Sequence, residues 1–461
     1  MDTEVLIAGA GPAGASAALR LSQLGHDVLL VDRGEARRQH VGESLPSSIR
    51  AVLSTLGLEL PPELVFLRPP THLVYWGDMQ GGRSWAEVPE RESSLLVWRG
   101  PLDRFLRERA VSAGARFALD SVSHVSRSKG EIEVRTLAGA VLRSRFFIDA
   151  TGRAGVLARS FRRKERGFRT LALTGHFRTG EREPPTVIEA FEEGWVWTAP
   201  LANGLRDVTV MLEAPEKGSN RDALFTAALG RARNVANLVS GAGLEGALRG
   251  IDATPYDSRR FCDESFLLAG DAASFLDPLS AHGVHKAMDG AILAAVAAHT
   301  ILERSERAAD AAEFYNRREE EIYRITSERL RRLYRQETRF AARPFWRKRS
   351  AGAMALEAAR PSTTVLPDRG AALRGAALVS QAPVVEGDFI ERREVLIASG
   401  RERPVRFLGP VCLPDLYKDV VATGNALEAA RRSPAGVERA LAAVEWLCRE
   451  GYLEPRDSTE L

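Results

Sequence analysis

The sequence predicts an α/β protein: a Rossmann-like nucleotide-binding domain assembled from separated pieces of chain, followed by a C-terminal, mostly helical domain. Three observations carry that prediction. A short apolar strand near the N-terminus runs straight into a G-x-G-x-x-G turn. Two more apolar strands, near residues 145–149 and 266–269, each run into a turn carrying glycine and aspartate. Helical periodicity then dominates long stretches after residue 283.

The first element is "EVLIA" (4–8), a continuous apolar run suited to a buried parallel strand. "GAGPAG" follows at once, placing Gly9, Gly11 and Gly14 in the dinucleotide-binding spacing, with Ala13 between the last two. Glycine is needed there because the backbone must approach a pyrophosphate closely, at a helix N-terminus whose partial positive charge favours anions. "ASAALRLSQLG" then reads as a helix ending at Gly25, and "DVLLVDR" as a second strand. Asp32 stands at that strand's end, where a carboxylate accepts ribose hydroxyls, with Arg33 beside it.

The second piece, "RFFIDATGRAGVLAR" (145–159), is an apolar strand followed by Asp149, Gly152 and a loop ending at Arg159. The third, "FLLAGDAASFLDPLSAHGVHKAMDGA" (266–291), runs from a strand through Gly270 and Asp271 to a helix led by Gly283 and Val284. These two pieces resemble internal motifs of the FAD-dependent hydroxylase superfamily, with its p-hydroxybenzoate-hydroxylase-like fold. The resemblance implies FAD, with Asp271 on its ribityl chain and the Gly283 helix N-terminus at the flavin pyrimidine edge. It also implies an antiparallel β-sheet substrate domain interleaved with the FAD-binding domain. The FAD-binding domain is then residues 1–70, 95–165 and 260–345, and the sheet domain residues 71–94 and 166–259. Arg99 matches the arginine that precedes an "x-x-x-D-x-x-L" helix in the superfamily, as a flavin or phosphate partner or as a surface ion pair. Asp149 is taken with it as a cofactor-site residue. No second G-x-G-x-x-G unit follows a strand later in the chain, so NAD(P)H visits transiently or a separate flavin reductase supplies electrons.

Two further stretches point to a branch. "GESLP" (42–46) is similar to the segment that covers one side of the flavin in flavin-dependent halogenases and geranylgeranyl reductases, and it adds Glu43 and Ser44 to the cofactor site. "GWVWTAPL" (194–201) matches the fixed positions of the halogenase W-x-W-x-I-P pattern at Trp195, Trp197 and Pro200. On a strand, alternation points both indoles to one face. They either fill a core or wall the active site, and the resemblance implies the wall.

Halogenase chemistry needs a lysine that carries hypohalous acid to the substrate, expected here near residues 66–74. That segment reads "FLRPPTHLV", with Arg68 and His72, and no lysine occurs before Lys129. A guanidinium stays protonated and has no free lone pair for the halogen. The halogenase P-L-E-S-T-G stretch is also altered, reading Pro278-Leu-Ser-Ala-His-Gly283. The expectation is therefore the parent reaction of the superfamily: oxygen transfer from a flavin C4a-hydroperoxide, formed with molecular oxygen, to an electron-rich aromatic ring. His282 and His72 are the candidate acid/base groups, with Trp195 and Trp197 as the wall. Lys286 is an alternative flavin-edge charge, and His285 is expected to face away.

The stretch 301–345 reads as one or two charged helices over the FAD domain, 361–405 as linker or irregular structure, and 411–455 as helices ending in an extended tip. The C-terminal domain, residues 346–461, has a winged-helix cadence. An added domain suits a substrate too large for a closed pocket, a peptide or protein. The chain is similar in this respect to flavoproteins that hydroxylate a peptidyl tryptophan in the maturation of cysteine tryptophylquinone.

Composition excludes other classes. The 461 residues carry 64 basic and 61 acidic side chains, a net charge of +3, which offers no broad field for nucleic acid. Three cysteines are too few and too scattered for a disulfide frame or a metal site, which suits a reducing, cytoplasmic setting. The chain starts a strand at once, so no secretory leader is expected. No apolar run has the ~18 residues of a membrane span.

Overall fold

The computed structural model describes residues 2–34, 42–67, 72–78, 95–128, 131–180, 185–201, 204–216, 218–280, 282–352, 373–398 and 403–455. The chain divides into two compact units, Met1–Gly352 and Ala353–Leu461.

The first unit is organised by a sheet with Thr3–Ala8 at its centre. Val28–Asp32 lies parallel on one side, with Arg116–Leu119 beyond it, and Val141–Asp149 lies parallel on the other. Thr3–Ala8, Val28–Asp32 and the last residues of Val141–Asp149 are buried almost continuously, as strands covered on both faces are. Val141–Asp149 is long enough to serve two partners. Its first half pairs antiparallel with Glu131–Thr136, and its last residues pair parallel with Phe266–Leu268. That register sets Ala8, Asp149 and Leu268 abreast, so the turns after all three strands emerge at one edge of the sheet. Open α/β sheets bind their ligands at such a carboxyl edge.

A second sheet runs in the order Leu244–Asp252, Thr170–Arg178, Leu205–Glu213, Gly194–Pro200, Thr186–Phe191 and His72–Tyr75. Every neighbouring pair is antiparallel except the last. This is the interleaved antiparallel sheet that the resemblance implies. One face, with Phe177, Val196 and Val210, is covered by the helices Arg221–Arg231 and Arg233–Leu238. The opposite face carries Trp195 and packs on Trp76, Tyr334, Phe345 and Trp346. Tyr334 ends the long helix Ala308–Gln336, and Phe345 and Trp346 belong to the short helix Pro344–Ser350. Trp346 is fully buried and its indole N–H donates to the Phe191 carbonyl at 3.0 Å. Residues 346–352 therefore belong with the first unit, and the expected boundary at 346 moves past Gly352.

The C-terminal unit departs further from expectation. Residues 377–398, inside the stretch read as linker, form a hairpin of two ten-residue strands, Ala377–Glu386 and Phe389–Ala398. Their alternation is muted because both faces are only partly buried, which hid them from a pattern search. Three helices follow, Leu413–Thr423, Ala426–Arg432 and Val437–Arg449, and the final strand Leu453–Pro455 returns to pair with Leu373–Gly375. Strand matches helix in extent here, so the unit is α+β rather than mostly helical. Its extended tip pairs with the start of the unit instead of making a wing. No described helix is long and apolar enough to cross a membrane.

Candidate active site and cofactor cradle

The three strand-end turns meet so closely that side chains are excluded where they touch. A Cβ on Gly14 would lie 1.7 Å from the Gly9 carbonyl oxygen, and one on Gly9 would lie 2.3 Å from that of Ala150. Gly270, at φ +61°, would place a Cβ 2.8 Å from the Ala13 Cβ. The glycines of the first and third motifs thus serve packing of turn on turn as well as approach to a ligand. Gly11 caps the helix Pro12–Gln23 without any side-chain acceptor, so the first N–H groups of that helix are left for an anion. Asp32 accepts from the Ala10 N–H at 2.9 Å and the Gly34 N–H at 2.7 Å, one bond per oxygen. A second lone pair on each oxygen remains for ribose hydroxyls. Arg33 is exposed beside it.

The strand Gly42–Leu45 brings Glu43 and Ser44 to the cradle by pairing with Leu95–Trp98. Arg99 follows that second strand and is shared between Glu43 (3.3 Å) and the buried Asp103 (3.2 Å). Arg99 is therefore the hub of a partly buried ion cluster, not a surface pair. Burial raises the Glu43 pKa, Arg99 offsets part of the rise, and the charge of Asp271 adds to it. Asp271 is half-buried, its carbonyl accepts from the Tyr256 hydroxyl at 2.7 Å, and its carboxylate has no hydrogen-bond partner among the described residues. A glycine cradle, an open helix N-terminus and an unpartnered carboxylate fit a dinucleotide with a polyol arm.

Several expected site residues do other work. Asp149 has no exposed surface, and its oxygens accept from the Thr151 N–H and hydroxyl and from the Leu157 and Ala158 N–H groups at 2.6–3.0 Å. It organises the 151–158 turn and has no capacity left for a cofactor. Lys286 is buried, donating to the Gly270 and Ser274 carbonyls at 3.2 and 2.8 Å and facing Glu319 at 3.8 Å. It ties the helix Gly283–Glu303 to the third-motif turn instead of presenting a charge at the flavin edge. Gly283 opens that helix exposed and Val284 is buried. His282 is its N-cap, and its Nδ1 sits against the Ser280 carbonyl. The His285 ring lies T-shaped to that of His282 with centroids 6.1 Å apart. Ala281 and Arg68 lie outside the described residues.

The two indoles face the third motif. Trp195 is 2% exposed, and its N–H donates to the Tyr334 hydroxyl at 3.1 Å. Tyr334 in turn donates to Asp277 at 2.8 Å, and Asp277 accepts a further bond from the Leu279 N–H. Trp197 is only partly buried and packs on the same cluster as Phe275 and Leu279, which flank Asp277. Trp195 is thus core, and Trp197 is the indole that keeps an exposed surface beside the third motif. His72 leads the edge strand, paired with Thr186, and alternation puts it on the face of Val74 and Trp76, toward the aromatic cluster. Tyr334 was missed from sequence because it lies in a charged amphipathic helix where one tyrosine carries no signal. Asp277 could have been found from "FLDP", a lone acid between apolar residues and a proline.

Fold and cradle define a nucleotide-binding flavoprotein. The tryptophan halogenase family model matches residues 93–371, and an FAD binding domain model matches residues 4–56. The chain belongs to the tryptophan halogenase family, FAD is its cofactor, and it is an FAD-dependent oxidoreductase. Tryptophan 2-halogenase of Chondromyces crocatus is 29% identical over 339 residues, 68% of this chain and 65% of that protein. Flavin-dependent halogenase armH5 of Armillaria mellea is 27% identical over 332 residues, 64% of each chain. The chain thus spans slightly under two thirds of these relatives. Among solved structures, the peptidyl tryptophan dihydroxylase QhpG, essential for tryptophylquinone cofactor biogenesis, superposes with a TM-score of 0.76 at 25% identity, covering 98% of this chain and all (100%) of that one. The flavin-dependent halogenase CmlS superposes with a TM-score of 0.80 at 24% identity, over 100% of this chain and 97% of that one, and shows the shared fold.

Proposed function

We propose that this protein is an FAD-dependent monooxygenase that hydroxylates a tryptophan-type aromatic ring held in a peptide or protein. The observation that carries the reading is the state of its lysines. The chain has six: Lys129, Lys164, Lys217, Lys286, Lys348 and Lys418. Lys129 and Lys217 lie outside the described residues. Each of the other four faces a carboxylate, Asp252, Glu319, Glu213 and Glu394 respectively. Lys286, the one at the flavin motif, is buried with its ammonium directed at two carbonyls and Glu319. An ammonium so engaged has no lone pair with which to accept a halogen. The fit to the peptidyl tryptophan dihydroxylase over nearly the whole of both chains supports the same direction.

Bound FAD, once reduced, supplies the activated oxygen. Gly9, Gly11, Ala13, Gly14 and Asp32 would hold its nucleotide half, Glu43, Ser44 and Arg99 would close over it, and Asp271 would take the ribityl hydroxyls. With Nδ1 against the Ser280 carbonyl, neutral His282 carries its proton there and leaves Nε2 as the basic nitrogen. It would accept the proton that the ring loses. Trp197 and His72 would bound the ring's side of the site and keep water out. Electrons would come from NAD(P)H directly or through a separate flavin reductase, and three unpaired cysteines suit the cytoplasm.

The test is turnover of a tryptophan-containing peptide with FAD and a flavin reductase, in air, with and without bromide. A product that gains oxygen at a rate indifferent to bromide is expected. A brominated product would overturn the reading.

A further inference from the structure

A cavity of about 240 Å³ lies beside the hydrogen-bonded pair Asp277 and Tyr334. Asp277 and Tyr334, the groups that hold Trp195, form part of its lining, and Phe168, Pro255 and Leu330 give it an apolar side. Four cations, Arg166, Arg331, Lys348 and Arg349, also line it, with Glu165 beside them. Lys348 and Arg349 share a single carboxylate, Glu213, each at 2.9 Å, so that pair keeps a surplus positive charge. Arg349 is 2% exposed. It spends its terminal nitrogens on Glu213, Thr170 and two backbone carbonyls, and its Nε has no acceptor. Arg166 and Arg331 have no carboxylate partner among the described residues. Against these four cations stand Glu165, Glu213 and Asp277, and burial of Asp277 disfavours its charged form.

An apolar cavity of about 150 Å³ accepts a benzene ring. The larger volume here leaves room for a ring with a short carboxylate arm, and guanidinium groups grip carboxylates with two parallel hydrogen bonds. We propose that this cavity binds a carboxylate-bearing aromatic group, with Arg166 and Arg331 as the carboxylate's partners and the Phe168–Leu330 side against the ring. The inference rests on the hydroxylase reading for its meaning, since it makes the substrate an acidic one, but its test does not depend on turnover.

The experiment is calorimetric binding to the FAD-loaded protein, without reductant, of indole-3-acetate and of tryptamine, the same ring with a cationic arm. Two short peptides, Glu-Trp-Glu and Lys-Trp-Lys, form the second pair. The acid is expected to bind at least about tenfold more tightly than the amine, with the preference shrinking as salt rises. Arg166→Ala and Arg331→Ala should each remove several-fold of that preference, and the double variant should abolish it. Both side chains reach solvent and have no ion-pair partner among the described residues, so unchanged circular dichroism and melting are expected of the variants. The same preference between the peptides would assign the carboxylate to an acidic residue near the target ring, whereas preference in the indole pair alone would assign it to a free aromatic acid. Equal affinity within both pairs, or a preference that survives loss of both arginines, overturns the proposal. Binding that behaves as expected without any hydroxylated product would overturn the reaction and leave the site standing.

Discussion

Tyr334→Phe removes a single oxygen atom and breaks two buried hydrogen bonds. The hydroxyl accepts from the Trp195 indole at 3.1 Å and donates to Asp277 at 2.8 Å, among side chains 2–4% exposed. An indole N–H left without a partner costs about 1–2 kcal/mol, and a carboxylate oxygen about 2 kcal/mol. Protonation of Asp277 relieves part of the second term, since burial already raises its pKa and loss of the donor raises it further. A net loss of about 3 kcal/mol follows. Unfolding entropy near 2.1 cal/mol/K per residue gives the 352-residue unit about 0.7 kcal/mol/K, so the melting temperature should fall by about 4 °C. Differential scanning calorimetry reads it, and Asp277→Asn in the same background should add much less than it does alone, because the two groups share one bond. A drop under about 1 °C, or full additivity of the pair, would refute the relay from the tryptophan wall to the flavin motif.

Three other outcomes are expected. Asp271→Ala and Gly270→Ala should each purify with little FAD, read from flavin absorbance; the first loses the unpartnered carboxylate, and the second needs a left-handed alanine pressed on Ala13. His282→Ala should keep FAD yet slow product formation by about 10²-fold or more, as loss of a general base does, and an unchanged rate would remove it from the mechanism. Burial raises the Glu319 pKa, only partly countered by Lys286. The folded protein then holds that proton more tightly than the unfolded chain, so this group's stabilisation is present at acid pH and is lost as pH rises through the raised value. The melting temperature of Glu319→Gln relative to wild type should therefore climb as pH rises above the usual carboxylate range; a relative fall would reverse the assignment.

Much of this site is legible in the chain because glycine motifs are local statements about backbone geometry. Gly9, Gly14 and Gly270 are where close approach demands them, and the order of strand, turn and helix around each follows from apolar periodicity alone. Charge partners are another matter. Asp149 and Lys286 stand in the expected motifs, yet the fold spends them on a turn and on a helix anchor, a choice set by neighbours distant in sequence. Trp195 and Trp197 share a strand face, but burial separates them: Trp195 is buried and bonded to Tyr334, whereas Trp197 keeps an exposed surface. The Ala377–Ala398 hairpin stayed hidden because its faces are half wet and its strands never alternate cleanly.

The most direct measurement of the central claim is isotopic. The FAD-loaded protein, a flavin reductase and a tryptophan-containing peptide would be mixed under oxygen-18 gas in the presence of bromide, and the peptide fragmented by mass spectrometry. Oxygen-18 carried on the indole ring, with no bromine, is the predicted result. Bromine on the ring, or ring oxygen drawn from water instead of the gas, would contradict it.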